Sequence, residues 1–271
     1  MEAGLQGAIG QPVAAWAVLA GGLSVGLLTG NGDWRTLILC ILLADGLWGG
    51  IWRGLVGLSA IRTGGEGQAA RRPWLPYLQP GSPAARLLGW GEPGEMDHNL
   101  RAALPMLLAA LLLAAVLGIG AVVLTGVFVL VAGFGWVSQH NRQIPVGLLH
   151  SIATILLPWA VVLLALGGEN MGEGSLVNGW TLALLWSLHS WGAGRLTRGY
   201  SARSALPLMA VAQAGIGLLL ILAQAPLWIA VLAVLWLPAW LTVIQGEHPR
   251  RVNVLWTISM LVSAAALAMG G

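Results

Sequence analysis

Residues 102–137 read AALPMLLAALLLAAVLGIGAVVLTGVFVLVAGFGWV, and the way this run divides decides the fold. As one helix it would extend about 54 Å at 1.5 Å per residue. A bilayer core is roughly 30 Å thick and is crossed by about 20 apolar residues, so no ordinary tilt accommodates it. Gly118-Ile119-Gly120 offers a break, and the run becomes two spans, 102–118 and 121–137. The run 206–243 poses the same problem, and Gln224-Ala225-Pro226 supplies a polar residue followed by a helix breaker. It divides into 206–223 and 227–243. Single stretches at 12–30, 37–60, 146–166, 176–191 and 254–269 complete the set. The expected fold is an all-α integral membrane protein of about nine transmembrane helices forming a single domain over residues 1–271.

The arginines set the orientation. Twelve of thirteen fall in or beside the segments that follow every second apolar stretch, and Arg35 alone lies on the other side. Arginine excess in short loops marks the cytoplasmic face. Arg62, Arg71, Arg72 and Arg86 therefore share a side with Arg142, with Arg195, Arg198 and Arg203, and with Arg250 and Arg251. With nine spans, the N-terminus is cytoplasmic and the C-terminus outside. The segment 61–100 is the main cytoplasmic loop, with a short interfacial helix expected near 84–90, anchored by Arg86 and Trp90.

Composition agrees. The chain is 57% hydrophobic and 8% charged, with a mean hydropathy of +0.80, outside the range of soluble domains. Its basic balance is all arginine, spread over loops, which speaks for topology and lipid-phosphate contact and against nucleic-acid binding. Cys40 stands alone in an apolar run, so it is read as packing. The N-terminus lacks a basic region and cleavage site, so no cleaved signal peptide is expected. A bacterial inner membrane is the expected location. Of the fifteen tryptophans, Trp34, Trp136, Trp180 and Trp228 near span ends read as interface anchors.

Ionisable groups inside spans are costly and are default site candidates. Asp45, Gly49 and Arg53 form a stripe that drifts about 80° on an α-helix. One reading has Arg53 snorkelling to the interface and Asp45 pairing with a neighbouring helix. The other makes the stripe one wall of a cytoplasmic cavity, with the basic end of span six, Arg195 and Arg198, as another. His150 and His189 lie within spans. Each can hydrogen-bond across helices or ligate a pigment's magnesium. His98, His140 and His248 fall in cytoplasmic loops. No His-Glu-x-x-His pattern or nucleophile triad is present, and no metal site is assigned.

The nine-span layout, with polar loops after spans two and six, resembles the UbiA superfamily of intramembrane prenyltransferases. Gln11-Pro12-Val13 followed by Trp16 looks like that family's Arg-Pro opening. Thr154-Ile155-Leu156-Leu157-Pro158-Trp159, Gly167-Gly168 and Thr181-Leu182-Ala183-Leu184-Leu185-Trp186-Ser187 are similar to its chlorophyll-synthase branch. In that family two Asp-rich motifs, after spans two and six, hold Mg²⁺ against a prenyl diphosphate. Here the first would begin at Asp45 and continue with Gly49 and Arg53, and the second falls on Thr197 and Arg198. Both acidic sets are missing, so the family's Mg²⁺ site is lost. Diphosphate release needs that charge neutralisation. Arginine reverses the local sign, so Arg53, Arg195 and Arg198 would hold an anionic head group directly.

The resemblance thus implies a non-catalytic relative that binds a prenyl lipid, a quinone or a (bacterio)chlorophyll-type pigment. Equally it fits a structural or assembly subunit of a larger membrane complex, such as a photosynthetic one, with membrane lipids and other subunits as partners. The alternative is a divergent prenyltransferase, similar to a (bacterio)chlorophyll synthase, drawing metal ligands from Glu92, Glu95 and Asp97 in the inner loop. A transporter is a third reading, but no internal repeat supports it.

Overall fold

The computed structural model describes residues 13–27, 33–57, 93–141, 146–167, 173–197, 202–245 and 249–270. Among these the chain is all helical. The helical rods are α1 (Val13–Ser24), α2 (residues 34–57), α3 (Pro93–Leu117), α4 (Ile119–Asn141), α5 (Val146–Leu166), α6 (Glu173–Thr197), α7 (Ala202–Leu222), α8 (Leu227–Ile244) and α9 (Pro249–Gly270). Six are long and apolar enough to cross a membrane, in α2, α4, α5, α7, α8 and α9. The described parts of α1 and α3 hold shorter apolar helices. This is an all-α membrane protein.

Both long runs break where local chemistry demands. Gly118 has φ +112°, a conformation that L side chains avoid. Its N–H donates to Ala114 O at 3.0 Å, and its own carbonyl accepts from Ala121 and Val122 at 3.1 and 3.2 Å. One residue thus closes α3 and opens α4. At the second break Gln224 takes φ +58°. The Ala225 N–H reaches Leu220 O at 2.9 Å and the Gln224 N–H reaches Ile221 O at 3.1 Å, a Schellman closure normally built on glycine. Pro226 then caps α8.

Several boundaries differ from the sequence expectation. Helix α3 begins at Pro93, so the loop expected through residue 100 stops earlier; proline is well suited to a first helical position. Glu95, Asp97 and His98 therefore lie in helical backbone, as does His140 in α4. Helix α6 runs to Thr197, carrying Arg195 in its last turn. The expected interfacial helix near 84–90, together with Glu92, Arg198 and His248, lies outside the described residues.

Two rods contain π-helical turns that hydropathy did not foreshadow. In α2 the stretches Leu42–Trp48 and Arg53–Gly57 wind as π-helix, and the Gly49 N–H bonds Ala44 O, five residues back. In α5 the π turn is Ile152–Leu156. Pro158 follows at once; it has no N–H, and its ring crowds the carbonyl four residues earlier. A wider turn relieves both problems.

Two apolar cores result. The first joins α2, α3, α4 and part of α5 around Trp48, which stacks on Phe128 with centroids 5.0 Å apart. The second joins α6, α7, α8 and α9 with the other side of α5 around Trp159, Trp186 and Met209. Helix α1 divides the two: Val18 faces the first and Ala17 and Ala20 the second, all with no exposed surface. Small residues permit close approach, which drives helix association in lipid, where apolar burial gains little. A Cβ on Gly192 would lie 3.1 Å from Ala205 O on α7. One on Gly21 would lie 3.3 Å from Trp159 O on α5. Several hydroxyls are satisfied within their own helices, as in Thr125 to Ala121 O at 2.8 Å and Ser259 to Leu255 O at 2.8 Å. This suits a medium with no water to bond.

Candidate functional site

The deepest polar constellation lies in the second core. His189 of α6 is 2% exposed. Its ring meets Trp186 with centroids 5.1 Å apart and Trp256 of α9 at 4.5 Å, both edge-on. Its Nε2 lies 3.3 Å from Gln213 Nε2 on α7. Trp240 Nε1 on α8 donates to Gln213 Oε1 at 2.6 Å, and Trp240 meets Trp256 at 6.4 Å. Trp186 Nε1 donates to Ser263 Oγ of α9 at 2.9 Å. Four helices are tied by these bonds, each linking positions distant in sequence. Buried polar side chains in lipid find partners across helices because no water competes for them.

Of the expected site residues, His189 alone belongs to this cluster. Gln213, Trp240, Trp256 and Ser263 were not singled out from the sequence, and Trp186 entered only in the stretch quoted for the resemblance, not as a site residue. The signal for Gln213 was available: it is an amide in the middle of the apolar run 206–223. A search restricted to ionisable groups passes over it.

His150 of α5 is half-buried, with its ring 5.6 Å from that of Trp52 on α2. The next residue, Ser151, accepts from Ser187 Oγ of α6 at 3.4 Å. Helix α5 therefore connects α2 with α6. The α2 stripe takes a different form from the deep cluster. Asp45 and Gly49 are half-buried and Arg53 is exposed. The π turns also hold more residues than the 3.6 per turn behind the expected 80° drift. Among the described residues Asp45 and Arg53 form no ion pair with each other. The guanidinium instead turns back along the helix, so that a Cβ on Gly49 would lie 3.8 Å from Arg53 Nη2. Arg195 is half-buried, its guanidinium 5.8 Å from the ring centre of Trp191, in reach of a cation–π contact.

The stripe and Arg195 were expected to wall one cavity. Helix α2 packs chiefly on α1, α3, α4 and α5, whereas α6 packs chiefly on α7, α5, α9 and α1. The two groups thus sit in different helix sets, joined through α5. Among the described residues no three His, Cys, Asp or Glu side chains come together as a metal set. Cys40 is buried. Trp180 and Trp228, expected at the interface, are half-buried against the second core.

No protein-family model, curated protein or solved structure matches this chain.

Proposed function

We propose that this chain is a non-catalytic, UbiA-like membrane protein that holds a prenyl lipid, a quinone or a chlorophyll-type pigment, or serves with such a ligand in a larger membrane complex. The reading includes nine transmembrane helices with a cytoplasmic N-terminus, in a bacterial inner membrane. The observation that carries it is the Asp45–Gly49–Arg53 stripe. Where the resembled enzymes would set carboxylates around Mg²⁺, this helix places one aspartate, a glycine and an arginine whose guanidinium lies over that glycine. A cation in that place repels a metal ion and attracts an anionic or acceptor-bearing head group. His150, half-buried beside Trp52, and His189, whose Nε2 faces Gln213, are the pigment-ligand candidates.

The divergent prenyltransferase is the weaker alternative. It would draw its metal ligands from Glu92, Glu95 and Asp97. The test is purification in mild detergent from native membrane, with absorption spectroscopy and mass spectrometry of what accompanies the protein. A stoichiometric pigment, quinone, prenyl lipid or membrane subunit is expected. Prenyl transfer from a prenyl diphosphate with Mg²⁺ by the purified chain would overturn the proposal.

A further inference from the structure

The hydrogen bonds of the second core have a direction, and that direction places the proton on His189. An indole N–H only donates, so the 2.6 Å bond from Trp240 must end on the Gln213 oxygen. The Gln213 amide nitrogen then faces His189 Nε2 at 3.3 Å, and it too only donates. Nε2 must therefore accept, which requires a neutral ring protonated on Nδ1. Turning the amide over would set its NH₂ against the indole N–H, donor to donor. The Nδ1–H that remains makes no hydrogen bond among the described residues, in a ring that is 2% exposed. A second such donor belongs to the same core: Trp236, four residues before Trp240 on α8, has its Nε1 buried with no acceptor.

Such donors are costly in a membrane interior, and the helices of this core bring no carboxylate to them, since residues 13–27, 146–167, 174–245 and 249–270 contain no Asp or Glu. The nearby Ser263 hydroxyl already accepts from Trp186 and donates to Met260 O. From the unsatisfied donors, the missing acidic groups and the aromatic frame, we infer that His189 Nδ1–H is the recognition donor of an intramembrane site, framed by Trp186 and Trp256, for an uncharged lipophile presenting a carbonyl oxygen. This deepens the binding role proposed above and rests on it. A metal or cation does not suit the place, since the lone pair of the ring is committed to Gln213.

Depth narrows the carbonyl's source. Gln213 is the twelfth of 21 residues in α7 and Trp236 the tenth of 18 in α8. At 1.5 Å per residue, Trp236 lies about 13 Å from either end of its helix. Phospholipid esters sit at the edges of a core roughly 30 Å thick. A ring ketone, as in a quinone or a chlorin, reaches mid-depth without leaving its preferred medium.

The experiment uses the full chain in phosphatidylcholine nanodiscs with ¹⁵N-labelled histidine, and His98, His140, His150 and His248 replaced by glutamine so that His189 is the one labelled ring. Nitrogen NMR is expected to show Nδ1 protonated and Nε2 bare. Three additions follow: lipid only, a decyl-tailed benzoquinone with ¹³C carbonyls, and a metal-free chlorin bearing a ring ketone. A shifted Nδ1 signal with the quinone or chlorin, and for the quinone a lowered carbonyl stretch, supports the site and names its source. An Nδ1 already hydrogen-bonded in lipid alone assigns the acceptor to an ester carbonyl. His189→Gln, which keeps an acceptor for Gln213, should weaken probe binding about tenfold. A proton on Nε2, or an Nδ1 unmoved by lipid and both probes, overturns the inference. If native purification yields a lipophile that leaves Nδ1 unmoved, this site fails and the general binding role stands.

Discussion

The two cores treat polar residues in opposite ways. Around α6, α7, α8 and α9, polar side chains are deep and cross-linked: His189 to Gln213, Gln213 to Trp240, Trp186 to Ser263. Along α2, Asp45 and Arg53 are half-buried and exposed, without an ion pair between them among the described residues, on a rod loosened by two π stretches. The difference teaches that a polar residue in a membrane helix does one of two jobs. It locks helices together when it can reach a partner on another helix, and it stays available to something else when it cannot. π turns often accompany the second case.

The largest effect should come from helix contact itself. Gly192→Val forces a side chain against Ala205 O and Met209 on α7 and should cost about 2 kcal/mol, read by SDS-titration unfolding. Gly49→Ala on the α2 stripe meets only ordinary contacts and should be neutral or up to about 1 kcal/mol stabilising. Equal losses at both glycines would erase the contrast between the cores.

A somewhat smaller effect is expected for the amide that joins three helices. Gln213→Leu strands Trp240 Nε1 and His189 Nε2 and should cost about 1–2 kcal/mol. Asp45→Leu should leave stability nearly unchanged and act on ligand retention instead. If Asp45→Leu proves the more destabilising in the same unfolding titration, α2 is a structural lock and its proposed role in binding fails.

The indoles sharpen the comparison further. Trp186→Phe gives up the 2.9 Å bond to Ser263, whereas Trp48→Phe removes a buried N–H that has no acceptor. With similar loss of ring volume, the first should be the more destabilising by about 1 kcal/mol.

The smallest effect belongs to the start of α2. Asp33 caps that helix by accepting from the Thr36 hydroxyl and from the Arg35 and Thr36 N–H groups. The Thr36 hydroxyl contributes most to holding the Asp33 carboxyl below its ordinary 3.8. A lowered carboxyl stabilises the fold above its unfolded value and loses that contribution as pH falls through the folded one. Asp33→Asn should remove this slight acid sensitivity and leave neutral-pH stability close to wild type, as thermal melts across that range would show.

Local features explain what could be read early. The breaks at Gly118 and at Gln224–Pro226 follow from glycine's freedom and proline's missing N–H, and both stand where the apolar runs exceed a bilayer's thickness. The span at 146–166 agrees with the helix to the residue. The start of α3 at Pro93 was hidden because its polar first turns resemble a loop. The tryptophans carry less information, because an amphipathic ring serves an interface or a core equally well, and Trp180 and Trp228 are half-buried against the second core.

The amino-acid sequence by itself determined the membrane character, the all-helical class and the two breaks in the long apolar runs, because each depends on hydropathy and backbone chemistry within a few residues. Only the tertiary structure decided which polar groups meet. His189 and Gln213 are 24 residues apart, Gln213 and Trp240 are 27, and Trp186 and Ser263 are 77. Whether such a group becomes a lock or a binding donor depends on the neighbour that packing delivers and on which atom of that neighbour can accept a proton.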